Sequence, residues 1–211
     1  MKLYLNEISS AASRVRIAIA LKRLEVVSQS VGILGADAES RQDEFRKVNP
    51  QGLVPALELD SGVLITQSLA IIEYLDEIQP EPPLLPGGAI ERAVARSIAM
   101  AIASEIHALL PPRVALQLAA AFGANSETTT DWNRHWVSQG FDAVEKLLVA
   151  NRCGTFSVGD LLSVADIFLF PQAVGVKRLG FDLSRWPNIE DVFSKLEAIP
   201  EFAGNAPAPR K

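Results

Sequence analysis

Cysteine and histidine are scarce in this sequence, which has one cysteine and two histidines among its 211 residues. The single thiol, Cys153, has no partner with which to form a disulfide within the chain. A structural zinc site usually takes about four cysteine or histidine ligands, and three such residues cannot supply that framework. We therefore expect neither a disulfide scaffold nor a metal site.

Positive charge and long apolar runs are also in short supply. Lysine and arginine number 20 against 25 acidic residues, so the net charge is −5. Nucleic acids and anionic membranes attract basic surfaces, and neither is therefore an expected partner. No stretch approaches the roughly 18 uncharged apolar residues of a membrane span. The N-terminus also lacks the long apolar segment of a secretory signal, because the acidic Glu7 interrupts it. We expect a cytoplasmic protein.

Strand and helix patterns alternate over residues 1–79. Apolar residues beyond Ser9 recur at the i, i+3, i+4 spacing of one helical face, and Asp60-Ser61-Gly62 between two apolar runs is a hairpin signal. The predicted elements are a strand at 2–5, a helix from Ser9, a strand at 26–33, a helical turn around Phe45, a hairpin around 60–62 and a helix at 68–78. This order indicates an α/β domain.

A proline-rich segment then predicts a domain boundary. Residues 79–88 read QPEPPLLPGG, and proline cannot continue a helix or a central strand. The predicted organisation is a first domain at 1–79, a linker at 80–88 and an all-helical domain at 89–211. The helices predicted for the second domain cover 91–118 with a kink at Pro111, 131–149, a segment from Ser163 with a capping box to Asp166, and 188–199. The final segment, GNAPAPRK, is expected to be loose.

Two serines, Ser9 and Ser10, open the first predicted helix. A helix start presents unpaired N–H groups and the positive end of the macrodipole, so it favours an anion. A serine hydroxyl at this place can donate to a thiolate and lower the thiol's pKa. Serine is also a common N-cap with no further role, and this segment taken alone favours the cap.

Two further positions suggest a ligand site in the first domain. Val54 precedes Pro55 at the start of a predicted strand, and a cis bond would turn the Val54 backbone towards a peptide-like ligand. Most X–Pro bonds in proteins are trans, so the residues alone favour the trans form. Gln67 and Ser68 lie between a strand and a helix, where Ser68 is predicted to be the N-cap and a ligand carboxylate could share the helix start.

Three longer segments carry a resemblance that covers nearly the whole chain. They read NPQGLVPALEL, TQSLAIIEYLDE and VGDLLSVADIFLFPQ. In this order they resemble the glutathione S-transferase superfamily, and its zeta class in particular. The resemblance implies a thioredoxin-like first domain, an all-α second domain, a cis Val54–Pro55 bond and a homodimer. It further implies a glutathione site formed by Ser9, Ser10, Val54, Gln67 and Ser68.

The chain departs from the zeta pattern around its first helix. Zeta-class proteins commonly read S-S-C-x-aromatic-R-V-R, whereas residues 9–16 here read SSAASRVR. Ala11 therefore replaces the cysteine and can neither donate a hydrogen bond nor act as a nucleophile, and Ser13 replaces the aromatic residue. Ile8 stands where an arginine often precedes the serines, which removes a possible contact to a substrate carboxylate.

The resemblance also implies four basic substrate-binding residues in the second domain. His107 and Arg113 match positions of the zeta pattern, but six residues on a regular helix do not share a face. The kink at Pro111 is expected to place the His107 and Arg113 side chains on the same side. Lys177 and Arg178 stand where the family usually has basic residues at the substrate pocket. A packing role for His107, and solvent exposure of Lys177 or Arg178, are the alternatives.

The function implied by the resemblance is a glutathione-dependent cis–trans isomerisation of maleylacetoacetate or maleylpyruvate in aromatic catabolism. Ser9, assisted by Ser10, would stabilise the glutathione thiolate, and the substrate would be a small molecule. Because of Ala11 and Ile8, a general glutathione transferase that conjugates or dehalogenates electrophiles is a second hypothesis. A non-catalytic binding protein on the same fold is a third.

Overall fold

The computed structural model describes residues 1–209, which form two compact units. The first unit comprises Met1–Leu84 and the described tail from Pro200, and the second is Leu85–Ile199. This division differs from the predicted ranges, which assigned residues 80–88 to a linker and the whole tail to the second domain.

One buried lysine holds the residues after 79 to the first unit. The Lys22 side chain has no solvent exposure, and its ammonium contacts the Asp76 carboxylate at 2.5 Å. It also donates to the backbone carbonyls of Gln79 and Pro82, at 2.6 and 2.5 Å. A buried ammonium needs such partners because it has lost its hydration. The chain from Gln79 to Pro82 is therefore bound to the first unit, and the boundary between the units at Leu84 lies within the predicted linker range.

A four-stranded mixed sheet of order β2-β1-β3-β4 lies in the first unit. Its strands are β1 (Lys2–Leu5), β2 (Val27–Ser30), β3 (Ala56–Glu58) and β4 (Leu64–Thr66). β1 pairs parallel with β2, and the β1–β3 and β3–β4 pairs are antiparallel. The β3–β4 hairpin is the predicted one, and its turn uses Gly62 at φ 83°. The second strand is shorter than predicted, since the Gly32 N–H bonds the Glu39 carboxylate at 2.9 Å.

Two helices of the first unit pack together through apolar faces. The helices are α1 (Ser10–Lys22), α2 (Asp43–Val48) and α3 (Ser68–Ile78), with a 3-10 turn at Glu39–Arg41 and a short helix at Pro200–Ala203 in the tail. Ile17 of α1 and Ile71 and Leu75 of α3 are fully buried, and each such side chain contributes about 1.5–3 kcal/mol. A helix between two parallel strands is the crossover that such a pair requires. The predicted α/β, thioredoxin-like arrangement is confirmed.

The described part of the tail is bound to the first unit. The Ser13 hydroxyl donates to the Asn205 carbonyl at 2.5 Å, and the Arg16 guanidinium donates to the same carbonyl at 3.1 Å. The Ala208 N–H donates to the Glu7 carbonyl at 2.8 Å. The expectation of a loose tail is therefore wrong for residues 204–209, and residues 210 and 211 lie outside the described residues.

The second unit is helical, as predicted. Its helices are α4 (Ala89–Met100), α5 (Pro112–Phe122), α6 (Ser126–Asn151), α7 (Val164–Arg178) and α8 (Pro187–Glu197), with a 3-10 turn at Leu183–Arg185. α6 is longer than the predicted 131–149 because Asn125 caps it and accepts the Thr128 N–H at 2.9 Å. α7 is apolar on nearly all sides and is buried along most of its length, which is typical of a core helix.

The predicted capping box at the start of α7 is confirmed. The Asp166 carboxylate accepts from the Ser163 N–H at 2.8 Å and from the Ser163 hydroxyl at 3.0 Å. It also accepts the Ser157 N–H at 2.9 Å. Burial raises the pKa of Asp166, whereas these donors act in the opposite direction because they stabilise the carboxylate. Asp166 is therefore a structural residue.

The predicted kinked helix over 91–118 is instead two helices with a different turn between them. α4 continues into a π-helical turn at Ala101–Ile106 and a 3-10 turn at His107–Leu109. Pro112 is the first residue of α5, a position at which the missing N–H of proline costs nothing. The π turn packs closely on α6, since a Cβ added at Gly140 would lie 2.2 Å from the Ile106 side chain.

One helical run in the described chain, Ala89–Phe122, is long and apolar enough in length and composition to cross a membrane. Its uncharged segments are short, because Arg96 and Glu105 interrupt them. Core helices of globular proteins meet the same length and composition criterion, so this run does not by itself indicate a membrane.

Candidate active site

Ser9 is the N-cap of α1, as the sequence predicts. Its backbone is extended, at φ −79° and ψ 117°, and its Oγ accepts the Ala12 N–H at 3.2 Å. The first turn of the helix reads Ser-Ala-Ala-Ser, so no acidic side chain in it neutralises the positive helix end. A serine hydroxyl has two acceptor lone pairs and one donor hydrogen. Ser9 can therefore cap the helix and donate to an anion at the same time.

The loop that leads into α1 is fixed by side-chain hydrogen bonds. The Asn6 amide donates to the Val31 carbonyl at 2.7 Å, and its oxygen accepts the Ile8 N–H at 3.2 Å. The Ser9 N–H donates to the Asn6 carbonyl at 3.0 Å. Ser10 follows as the first helical residue and is half-buried. The two serines therefore lie at a helix start whose entry is rigidly held.

The Val54–Pro55 peptide bond is cis, which the resemblance implies and the residues alone did not. Strand pairing of β3 begins only at Ala56, opposite Tyr4 of β1. Val54 is buried and lies just before the paired residues. Its backbone groups are therefore outside the β1–β3 ladder.

The start of α3 differs from the prediction. Gln67 is the N-cap residue and Ser68 is the first helical residue, because Gln67 leaves β4 with φ 70° and ψ 123°. Positive φ is uncommon outside glycine and is found disproportionately at functional sites. The Gln67 amide donates to the Gln51 side chain at 2.8 Å. The prediction that Ser68 is the N-cap is therefore wrong, although the serine still lies at the helix start.

Arg14 also lies in this region, although no motif in the sequence predicts it as a site residue. It is 1% exposed, and its Nη1 lies 3.4 Å from the Oγ of Ser68, which is itself buried. Burial lowers the pKa of Arg14 to about 9, so the guanidinium keeps its charge at neutral pH. Its burial could have been predicted from its position, since Arg14 precedes Ile17 by three residues and so lies on the apolar face of the helix.

The four basic residues predicted in the second unit lie on three elements. His107 is half-buried in the 3-10 turn, and Arg113 is exposed in the first turn of α5. Lys177 and Arg178 are exposed in the last turn of α7, and partial burial lowers the pKa of Arg178. The Lys177 ammonium lies 4.9 Å from the centre of the Phe193 ring of α8, which is within cation–π distance.

Metal-ligating side chains are not clustered in this structure. Within residues 1–209, no group of three or more His, Cys, Asp or Glu side chains is arranged to hold a metal ion.

Comparisons with known proteins identify both domains of the chain. The family model of the glutathione S-transferase N-terminal domain matches residues 8–78, and that of the C-terminal domain matches residues 98–200. The maleylacetoacetate isomerase of Pseudomonas aeruginosa is 41% identical over 208 residues, which cover 99% of this chain and 96% of that protein.

Two solved structures of similar proteins extend the comparison. A bacterial maleylpyruvate isomerase of the zeta class is 36% identical with a TM-score of 0.92, covering 100% of this chain and 98% of the other. The maleylacetoacetate isomerase of Methylobacterium extorquens AM1, solved with malonate and glutathione, is 35% identical with a TM-score of 0.93 at the same coverage. The chain therefore belongs to the zeta class of the glutathione S-transferase superfamily.

Proposed function

We propose that this protein is a glutathione-dependent cis–trans isomerase of maleylacetoacetate or maleylpyruvate, acting in aromatic catabolism. The observation that carries the proposal is the near full-length similarity to isomerases of both substrates, at 41% and 39% identity. The helix start at Ser9 supports it, because isomerisation by a thiol needs a group that stabilises a thiolate.

The first unit has the features that a bound tripeptide thiol requires. An anionic sulfur fits the start of α1, where Ser9 and the helix N–H groups offer hydrogens and the first turn carries no acid. A peptide backbone fits beside the cis Val54–Pro55 bond, outside the β1–β3 ladder. A carboxylate fits the start of α3 at Gln67 and Ser68. These residues would hold the thiol, the cysteinyl part and the γ-glutamyl end of glutathione.

Glutathione, when bound, would supply a nucleophilic thiolate for reversible addition to the cis double bond, which becomes a single bond until elimination restores it. Ser9 would donate its hydroxyl hydrogen towards the sulfur while its Oγ keeps the Ala12 N–H, and Ser10 would assist from the first helical position. This arrangement lowers the free energy of the charged sulfur relative to water because the donors are already oriented.

Basic residues of the second unit would neutralise the carboxylates of the substrate. Arg113 and Arg178 are the principal candidates, since a guanidinium binds a carboxylate through two parallel hydrogen bonds. His107, half-buried at the start of the 3-10 turn, is a further candidate. Lys177 is the weakest of the four, because its ammonium already lies over Phe193.

A general glutathione transferase is the second candidate function, and two residues favour it. Ala11 cannot donate to a sulfur, and Ile8 cannot bind a carboxylate, where zeta-class proteins commonly have a cysteine and an arginine. Ile8 removes a possible contact to a substrate carboxylate, and Ala11 removes a possible donor or nucleophile near the sulfur. Conjugation or dehalogenation of an uncharged electrophile would then use the same thiolate.

A spectroscopic assay separates the two functions. Purified protein is supplied with maleylacetoacetate or maleylpyruvate, with and without glutathione, and in parallel with an aryl halide and glutathione. We expect isomerisation that depends on glutathione and exceeds the reaction of the halide. A protein that conjugates the halide and leaves both diacids unchanged is a general transferase.

We also propose a cytoplasmic homodimer, as the resemblance implies. Light scattering of the purified chain is expected to give twice the mass of 22.8 kDa. A mass of one chain at working concentration would contradict the dimer without affecting the isomerase proposal.

A further inference from the structure

The C-terminal tail of the chain is bound to the loop that leads to Ser9. The Ala208 N–H donates to the Glu7 carbonyl of that loop at 2.8 Å, and the neighbouring Pro207 is buried. Residues 206–209 read Ala-Pro-Ala-Pro, and each proline ring restricts the backbone before the tail binds. The tail is therefore held in place at a small cost in conformational entropy.

Two side chains of α1 bind the same tail. The Ser13 hydroxyl donates to the Asn205 carbonyl at 2.5 Å, and Ser13 has no solvent exposure. The Arg16 guanidinium donates to the carbonyls of Asn205 and Ala206, at 3.1 and 3.2 Å. It also forms an ion pair with the Glu7 carboxylate, which compensates the charge of this mostly buried side chain. Glu7 is therefore bound through its carbonyl to the tail, and through its carboxylate to the arginine that binds the tail.

The turn at Glu7 bears directly on the position of Ser9. Glu7 is exposed and lies two residues before Ser9, and Asn6 accepts hydrogen bonds from the Ile8 and Ser9 N–H groups within this turn. Exposed turns with few buried contacts are among the parts of a protein that open most easily. A donor that stabilises a charged group has to stay within about 0.5 Å of its productive position. The contacts at Glu7 therefore restrict the movement of a residue whose position matters for chemistry.

We propose that the C-terminal tail is a positioning element of the thiolate site, which holds the turn at Glu7 and thereby the hydroxyl of Ser9. Ser13 and Arg16 are positioning residues, because they anchor the tail and act on the sulfur only through Ser9. Ser13 stands where the zeta pattern commonly has an aromatic residue, and in this chain its hydroxyl binds the tail. The inference rests on the proposed glutathione-dependent function.

A variant that lacks residues 205–211 tests the proposal in the complex with glutathione. Without the tail the Ser9 hydroxyl moves, so the pKa of the bound thiol should rise by about half a unit to one unit towards that of free glutathione. kcat for isomerisation should fall about three- to tenfold. The affinity for glutathione, measured at a pH below both thiol pKa values, should stay within about twofold of the wild type. Amide hydrogen exchange at residues 7–9 should become faster.

Three further variants separate positioning from stability. A variant that lacks only residues 210 and 211 keeps every contact named above and should have the wild-type thiol pKa and kcat. Ser13→Ala removes one anchor and should raise the thiol pKa by about a few tenths of a unit. Asn125→Ala removes the N-cap of α6 in the second unit, at a similar cost in stability. It should therefore unfold more easily than the wild type while its thiol pKa stays unchanged.

A wild-type thiol pKa and kcat in the variant that lacks residues 205–211 would overturn the inference and leave the proposed function intact. An equal rise of the thiol pKa in Asn125→Ala would also overturn it. A wild-type protein that does not bind glutathione would instead contradict the proposed function itself. If the shortened chain does not fold, Ser13→Ala combined with Arg16→Gln takes its place. This double variant should show the same rise of the thiol pKa, and an unchanged value would overturn the inference.

Discussion

Replacement of Ser9 separates its role as a helix cap from its proposed role as a donor to the thiolate. Ser9→Ala removes both the acceptor of the Ala12 N–H, now at 3.2 Å, and the donor hydrogen. Ser9→Gly also removes the hydroxyl, but glycine is itself a tolerated N-cap. Ser9→Thr keeps the hydroxyl and is the matched control.

The two roles differ in expected magnitude. Loss of a serine N-cap costs about 1 kcal/mol when alanine replaces it, and only about a few tenths when glycine does. A hydrogen bond to a charged group contributes about 1.5–3 kcal/mol, which corresponds to about a 10- to 150-fold loss of turnover if the bond is made to the thiolate. We therefore expect Ser9→Ala and Ser9→Gly to lose turnover equally and to differ in stability.

The assays are urea unfolding for stability and initial rates of isomerisation at saturating glutathione for turnover. Ser9→Thr should stay within about threefold of the wild-type rate, since it is a good cap and retains the donor. The reasoning is refuted if Ser9→Gly turns over like the wild type, or if the rates of the three variants simply follow their stabilities.

Two further predictions concern packing in the separate units. Gly140→Ala should lower the free energy of unfolding by about 2 kcal/mol, because the new methyl group would lie 2.2 Å from the fully buried Ile106 side chain. Gly175→Ala is the control, because a Cβ added at Gly175 meets no atom of the described residues within 4 Å; it should be neutral or stabilising by up to about 1 kcal/mol. Equal stability of the two variants would contradict this account. Ser13→Ala should lower the free energy of unfolding by about 1 kcal/mol and speed proteolysis of the tail, because it removes the hydrogen bond to Asn205. Ser61→Ala, at an exposed serine, should change neither quantity. An unchanged proteolysis rate in Ser13→Ala would show that other contacts hold the tail.

Local features of the chain could be predicted from the sequence because short-range chemistry determines them. The apolar period beyond Ser9, the Asp60-Ser61-Gly62 turn and the Ser163–Asp166 capping box each depend on residues a few positions apart. The cis Val54–Pro55 bond is different, since its residues alone favour the trans form, and only the resemblance implied it. The cis bond could therefore be predicted only from the family resemblance, because residue preferences alone favour the trans form.

Features that depend on distant contacts could not be predicted. The tail is bound because Ser13 and Arg16 contact a residue about 190 positions away in sequence. No local sequence pattern predicts a contact over that separation. Ser68 is not the N-cap because Gln67 adopts a positive φ that its residue type does not favour. The burial of Arg14 could have been predicted, since a charged residue at an apolar position of a helix indicates a buried ion.

The central claim is that the start of α1 stabilises a thiolate, and titration of bound glutathione tests it most directly. The ultraviolet absorbance of the thiolate is followed against pH for glutathione in the wild-type complex and free in buffer. The donors at Ser9 predict a thiol pKa about one to two units lower in the complex, since about 1.4 kcal/mol corresponds to one unit. A bound thiol that titrates at the same pH as free glutathione would contradict the account.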